Sequence, residues 1–154
     1  MHKSLFLLCV LSLMVSCSPE SSKPETLVNS YDEAEMDAAV EKARSTVDEF
    51  ITELKSRSAD SFSVKAPITD DNGTEHFWIT DVEYSAGQFS GLIGNDPGIV
   101  KNVKFGDPWK LSRDEISDWM YLRGERIHGG FTIDPLLGSY PEDQAEALRA
   151  KLVR

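Results

Sequence analysis

The chain has 154 residues, with 16 Lys and Arg against 26 Asp and Glu, a formal net charge of −10. That size suits one domain around one core. No cluster of Lys and Arg offers the phosphate contacts of a nucleic-acid surface, so nucleic acid is not an expected partner. The acidity serves solubility, or more sharply a lure for a basic partner.

At the start, His2 and Lys3 give a weak positive charge, Leu5 to Val15 form an almost unbroken apolar core, and Ser16 is small. This is the grammar of an export signal over residues 1–16. A permanent spanning helix needs about 20 apolar residues, roughly twice what this core offers. Of the two cysteines, Cys9 leaves with the signal and Cys17 stays. A lone thiol in an exported chain makes no internal disulfide. Met14-Val15-Ser16-Cys17 resembles the lipobox of bacterial lipoproteins. That resemblance implies cleavage before Cys17 and several acyl chains on its thiol. One chain holds weakly and several hold stably, since each buried CH₂ contributes about 0.8 kcal/mol. Ser18 following the cysteine, by the family's sorting pattern, implies the outer membrane. Residues 17–29 carry Ser, Pro, Glu and Lys with little apolar content and read as a lipidated tether, its reach after Cys17 roughly 40 Å. Residues 30–154 read as a single domain.

The spacing predicts one long helix over 31–56. Ser30-Tyr31-Asp32-Glu33 fits a capping box, and Met36, Val40, Ala43, Val47, Phe50 and Leu54 recur at alternating steps of four and three. Such a stripe packs on the protein's own sheet more readily than it builds a short coiled coil. The period then falls to two. Phe62, Val64 and Ala66 alternate in a first strand, and Asp71-Asn72-Gly73 signals a tight turn. Through Glu75–Tyr84, strict alternation puts His76, Trp78, Thr80, Val82 and Tyr84 on one face and Phe77, Ile79, Asp81 and Glu83 on the other. Ala86-Gly87 turns into Gln88–Ile93; further strands are expected over Ile99–Phe105 and Trp109–Leu111. Ser112-Arg113-Asp114-Glu115 predicts one helical turn, and Ile116–Leu122 with Arg126–Ile133 a hairpin folded at Gly124. Gly129-Gly130 inside it marks a bulge or a close packing point. Ser139 caps a last helix whose buried side is Ala145, Leu148 and Leu152. The predicted fold class is α+β: a long N-terminal helix on an antiparallel sheet of about five to seven strands, with a short C-terminal helix.

Several blocks together resemble the YegJ-like family. They are Phe77-Trp78-Ile79-Thr80-Asp81-Val82-Glu83, Phe89-Ser90-Gly91, Asn102-Val103-Lys104 with Gly106-Asp107, Asp114 through Tyr121, and Gly129-Gly130-Phe131-Thr132-Ile133. They keep order and spacing from about residue 32 to residue 134. The resemblance implies a bacterial domain of unknown function and carries no catalytic residue. Relatives carry Thr-Ile-Arg at the end of the last block; here Thr132-Ile133 is followed by Asp134.

The chemistry narrows by exclusion. His76 and His128 lie in no His-Glu-x-x-His helix, no cysteine is spare for zinc, and the acids around Gly73 lack calcium-loop spacing, so no metal is expected. No Gly-x-Ser-x-Gly elbow occurs. The best remaining catalytic candidates are the carboxylates Asp81, Glu83 and Asp118, which could form a general acid/base pair. The plainer reading gives Asp81 and Glu83 to a wet sheet face. Trp78, Trp119 and Tyr121 are the binding candidates, set against core packing. The expectation is a lipid-anchored protein on the periplasmic face of the outer membrane. It has no cofactor and acts as a non-enzymatic binding or assembly module with a possible protein partner. The rivals are an immunity-like inhibitor of a basic toxin and a carboxylate-based envelope hydrolase.

Overall fold

A computed structural model describes residues 31–153. The signal, Cys17, the tether and the Ser30 cap lie outside the described residues. The N-terminal helical stretch divides into α1 (Glu33–Ser45) and α2 (Val47–Ser56). Asp32 caps α1, its Oδ1 accepting from Glu35 N at 3.1 Å. The single long helix is corrected at Thr46, whose hydroxyl donates back to Lys42 O at 2.7 Å. Back-bonding of this kind bends helices, and Thr46 sits at φ −109°, outside helical values. The predicted stripe still works: Ala43, Val47, Phe50 and Leu54 are buried, while Met36 and Val40 are half-buried.

The strands are β1 (Ser61–Asp70), β2 (Gly73–Ser85), β3 (Gln88–Ile93), β4 (Pro108–Ser112), β5 (Asp118–Arg123), β6 (Arg126–Gly129) and β7 (Leu152–Val153). They form one sheet in the order β4-β3-β2-β1-β5-β6-β7, antiparallel except at the β6–β7 pair. The α+β class therefore stands. In register, Phe62 faces Tyr121, Val64 lies between Ile79 and Trp119, and Ala66 faces Phe77. Residues opposite one another share a face. That face meets α2 through Phe50, whose ring lies 6.0 Å from Phe62, 6.0 Å from Phe89 and 5.5 Å from Trp119.

Four local expectations are corrected. Strict alternation along β2 fails because the register with β3 shifts between Thr80 and Glu83. Asp81 takes φ 52° at this bulge, so Val82 joins Phe77 and Ile79 in the core. The Ile99–Phe105 segment is a loop, because its backbone donors are captured by side chains. Glu75 Oε2 accepts from Gly98 N at 3.0 Å and Ile99 N at 2.8 Å, and Asp70 Oδ2 accepts from Lys101 N at 2.6 Å. The second arm of the last hairpin stops at Gly129; a 3-10 helix (Phe131–Ser139) containing Pro135 follows. Gly129 and Gly130 turn the chain with φ 77° and 65°. A Cβ on Gly129 would collide with Trp119 O and its ring, so the expected close packing point is here. Finally, Ser139 donates back to Leu136 O at 3.0 Å and does not cap α3 (Glu142–Lys151), which starts after Pro141. The one-turn expectation at Ser112 fits: a 3-10 turn (Arg113–Glu115) forms there, with Glu115 Oε2 accepting from Ser112 N at 2.6 Å.

Candidate functional site

Asp118 opens β5, and its alternation with core-facing Trp119 sends it to the opposite face of the sheet, beside Lys65. It is fully buried. Oδ1 accepts from Trp119 N at 2.8 Å and Phe131 N at 3.2 Å. Oδ2 accepts from Thr132 N at 2.8 Å and Thr132 Oγ1 at 2.7 Å. Three of these donors, from Phe131 and Thr132, tie the start of β5 to the 3-10 helix. Burial pushes the carboxyl above its ordinary range, and the Thr132 and Trp119 donors hold it back.

Lys65 is the residue that sequence reasoning missed. It stands in register with Trp78 on one side and Asp118 on the other. Nζ donates to Thr132 Oγ1 at 3.1 Å and lies 5.5 Å from the Trp78 ring centroid. Thr132 therefore relays between the two charges, accepting from Lys65 and donating to Asp118. Burial depresses the Lys65 ammonium, and the nearby Asp118 opposes that shift. His76 Nδ1 pairs with Ser117 Oγ at 2.9 Å, and burial followed by the Lys65 charge holds the imidazole below its usual value. Lys65, His76, Trp78, Ser117 and Thr132, but not Asp118, line a cleft of about 610 Å³ that Met36 and Val40 of α1 and Tyr140 also line.

A second cleft, of about 780 Å³, lies along the other side of α1. Its floor is a row of near-parallel rings: Trp119 and Tyr121 have centroids 6.1 Å apart at 7°, and Tyr121 and His128 are 4.7 Å apart at 9°. Trp119 Nε1 donates to Ala43 O at 3.0 Å, which fixes α1 to this row. Trp119 and Tyr121 are nonetheless buried, so they reach the cleft with little of their surface.

The candidates named from sequence consequently divide among three places. Trp78 stands in the first cleft, Trp119 and Tyr121 in the second. Asp81 and Glu83 are exposed, the former at the β2 bulge and the latter 3.8 Å from Arg57 Nη2. Asp81 is three positions along and two strands across from Asp118, on the order of 14 Å by strand spacing and rise. The three carboxylates do not converge. Among the described residues there is no group of three or more His, Cys, Asp or Glu placed to hold a metal ion. Nor, among them, is any helix long and apolar enough to cross a membrane. Nothing in the sequence marks Lys65: a lysine on the outward beat of a strand looks like any solvated one.

Fold and clefts define a small α+β protein built on one mostly antiparallel sheet, with a concavity on each side of its first helix. Residues 33–151 match a family described as an uncharacterized protein conserved in bacteria (DUF2314). The chain belongs to that family, as the YegJ-like blocks imply. It is 52% identical over 155 residues to the uncharacterized protein YegJ of Escherichia coli (strain K12), covering all of both chains. It is also 34% identical over 116 residues to a putative ankyrin repeat protein of Neisseria meningitidis serogroup B, covering 69% of this chain and 46% of that protein. No solved structure matches the chain.

Proposed function

We propose that this protein is a lipid-anchored component of the bacterial cell envelope, held by acyl chains on Cys17, whose folded domain binds a partner or ligand and does no chemistry. The observation that carries the second half is the full engagement of Asp118. The one buried carboxylate among the catalytic candidates spends both oxygens on four local donors, and Asp81 and Glu83 stand exposed and apart from it. A general acid or base must reach a substrate proton within hydrogen-bond distance, and Asp118 has no oxygen left to offer. Clefts that combine aromatic surface with a few polar groups suit recognition.

The anchor is supported by the Leu5–Val15 core and the Met14–Cys17 sequence. The test is fractionation of cells expressing the wild type and Cys17→Ser after labelling with a fatty acid. Wild type should carry label and sediment with outer membranes; the variant should lose the label and migrate as the uncleaved precursor. Unlabelled wild type in the soluble fraction overturns the anchor. For the domain, in-cell crosslinking of the wild type should capture a defined partner. Loss of function in cells on substituting Asp81, Glu83 and Asp118 together, with folding intact, would instead revive the hydrolase reading.

A further inference from the structure

We propose that the cleft between α1, the 3-10 helix and β1–β2 is a binding site for a small carboxylate-bearing ligand with a flat apolar body, its carboxylate held by Lys65 and its body lying along Trp78. This deepens the binding role proposed above and rests on it.

The Lys65 ammonium has three donors and no acceptors. One is used on Thr132 Oγ1, and the Trp78 ring supplies a loose cation–π contact. No other protein acceptor for Nζ occurs among the described residues, although the side chain lines a cavity. A half-buried ammonium with donors to spare gains from an anion. The neighbouring acids do not fill that role. Asp118 is saturated by its own four donors, and Glu75 is occupied by the amides of Gly98, Ile99 and Val100.

The rest of the lining sets the ligand's class. Asp37 and Asp96 are exposed at the same cleft and repel multiply charged anions, which favours a single carboxylate. His76 Nδ1 is engaged with Ser117, leaving Nε2 with no protein partner among the described residues, a further polar contact for the ligand. Trp78 is half-buried and presents a flat surface between Lys65 and the loop carrying Asn95, whose Oδ1 accepts from Trp78 N at 3.0 Å. That bond fixes the backbone from which the ring projects. A planar body packing along the indole uses this surface without needing a further charge.

The experiment uses the full chain in detergent, labelled with ¹⁵N and titrated with benzoate, benzamide and inorganic phosphate while the tryptophan indole signals are followed. Trp78→Phe assigns the signal of interest. Benzoate should shift the Trp78 indole saturably, with benzamide roughly tenfold weaker for want of the charge-assisted bond. Lys65→Met should abolish the preference for benzoate while the amide spectrum stays dispersed. Should that variant unfold, the benzoate–benzamide comparison on wild type decides alone. Equal affinity for the two, no saturation at millimolar benzoate, or a shift at Trp119 in place of Trp78 overturns the site. Phosphate binding as tightly as benzoate overturns the flat-body assignment. Membrane attachment and partner capture are read separately, so a failure here leaves the anchored-module reading standing and a failure there leaves this cleft to be judged by its own titration.

Discussion

Asp118→Asn probes the joint on which both clefts depend. The substitution keeps one oxygen and turns the other into an NH₂ group facing donors. If the amide nitrogen takes the Oδ1 place, Trp119 N and Phe131 N both lose their acceptor. In the Oδ2 place it confronts Thr132 N, while the Thr132 hydroxyl can turn to accept from it and still accept from Lys65. The cheaper arrangement therefore strands at least one buried backbone N–H, costing about 1–3 kcal/mol. It also removes a negative charge near half-buried Lys65, and the neutral amide's easier burial offsets part of that loss. We expect a net loss of about 1–3 kcal/mol. Urea unfolding followed by tryptophan fluorescence reads this as a lower midpoint at unchanged slope. Asp81→Asn, at an exposed position, should stay within about 0.5 kcal/mol of wild type in the same assay. An Asp118→Asn midpoint indistinguishable from wild type refutes the claim that the carboxylate's bonds from Phe131 and Thr132 hold the 3-10 helix to the sheet.

Gly129→Ala should cost about 3 kcal/mol or more, since the added carbon meets Trp119 in a left-handed backbone, whereas Gly124→Ala, with open space around it, should cost only about 1 kcal/mol; paired thermal melts separate the two. Asp81→Val should lose about 1–2 kcal/mol because a β-branched residue fits poorly at φ 52°, and equal stability of the Val and Asn variants would remove the bulge from the explanation. The His76 imidazole is held below its ordinary value in the fold, so its contribution is present above the unfolded value of 6.5 and is lost as pH falls through the lower folded one. Unfolding midpoints at about pH 7.5 and pH 5.5 should therefore drop more for wild type than for His76→Gln, with His128 left in place in both.

The helical stripe and the strand alternation were legible because each depends on a period that one element imposes by itself. Val47, Phe50 and Leu54 face inward for the same reason that they recur in the sequence, and Phe62, Val64 and Ala66 do likewise. What escaped depends on partners distant in the chain. The apolar run at Ile99–Phe105 has the look of a strand, yet Glu75 and Asp70 take its amides before another strand can. The step at Asp81 is invisible because aspartate both tolerates a left-handed backbone and sits comfortably on a polar strand face, so the same letter suits either register. Lys65 is the instructive case. Alternation correctly assigns it to the face opposite Val64 and Ala66, but says nothing about whether that face meets water. The 3-10 helix after Gly130 answers that: through Thr132 it closes over Asp118 and brings its hydroxyl to Lys65. An outward position becomes a half-buried cation lining a cleft because a segment 67 residues away reaches it, and no local period carries that information.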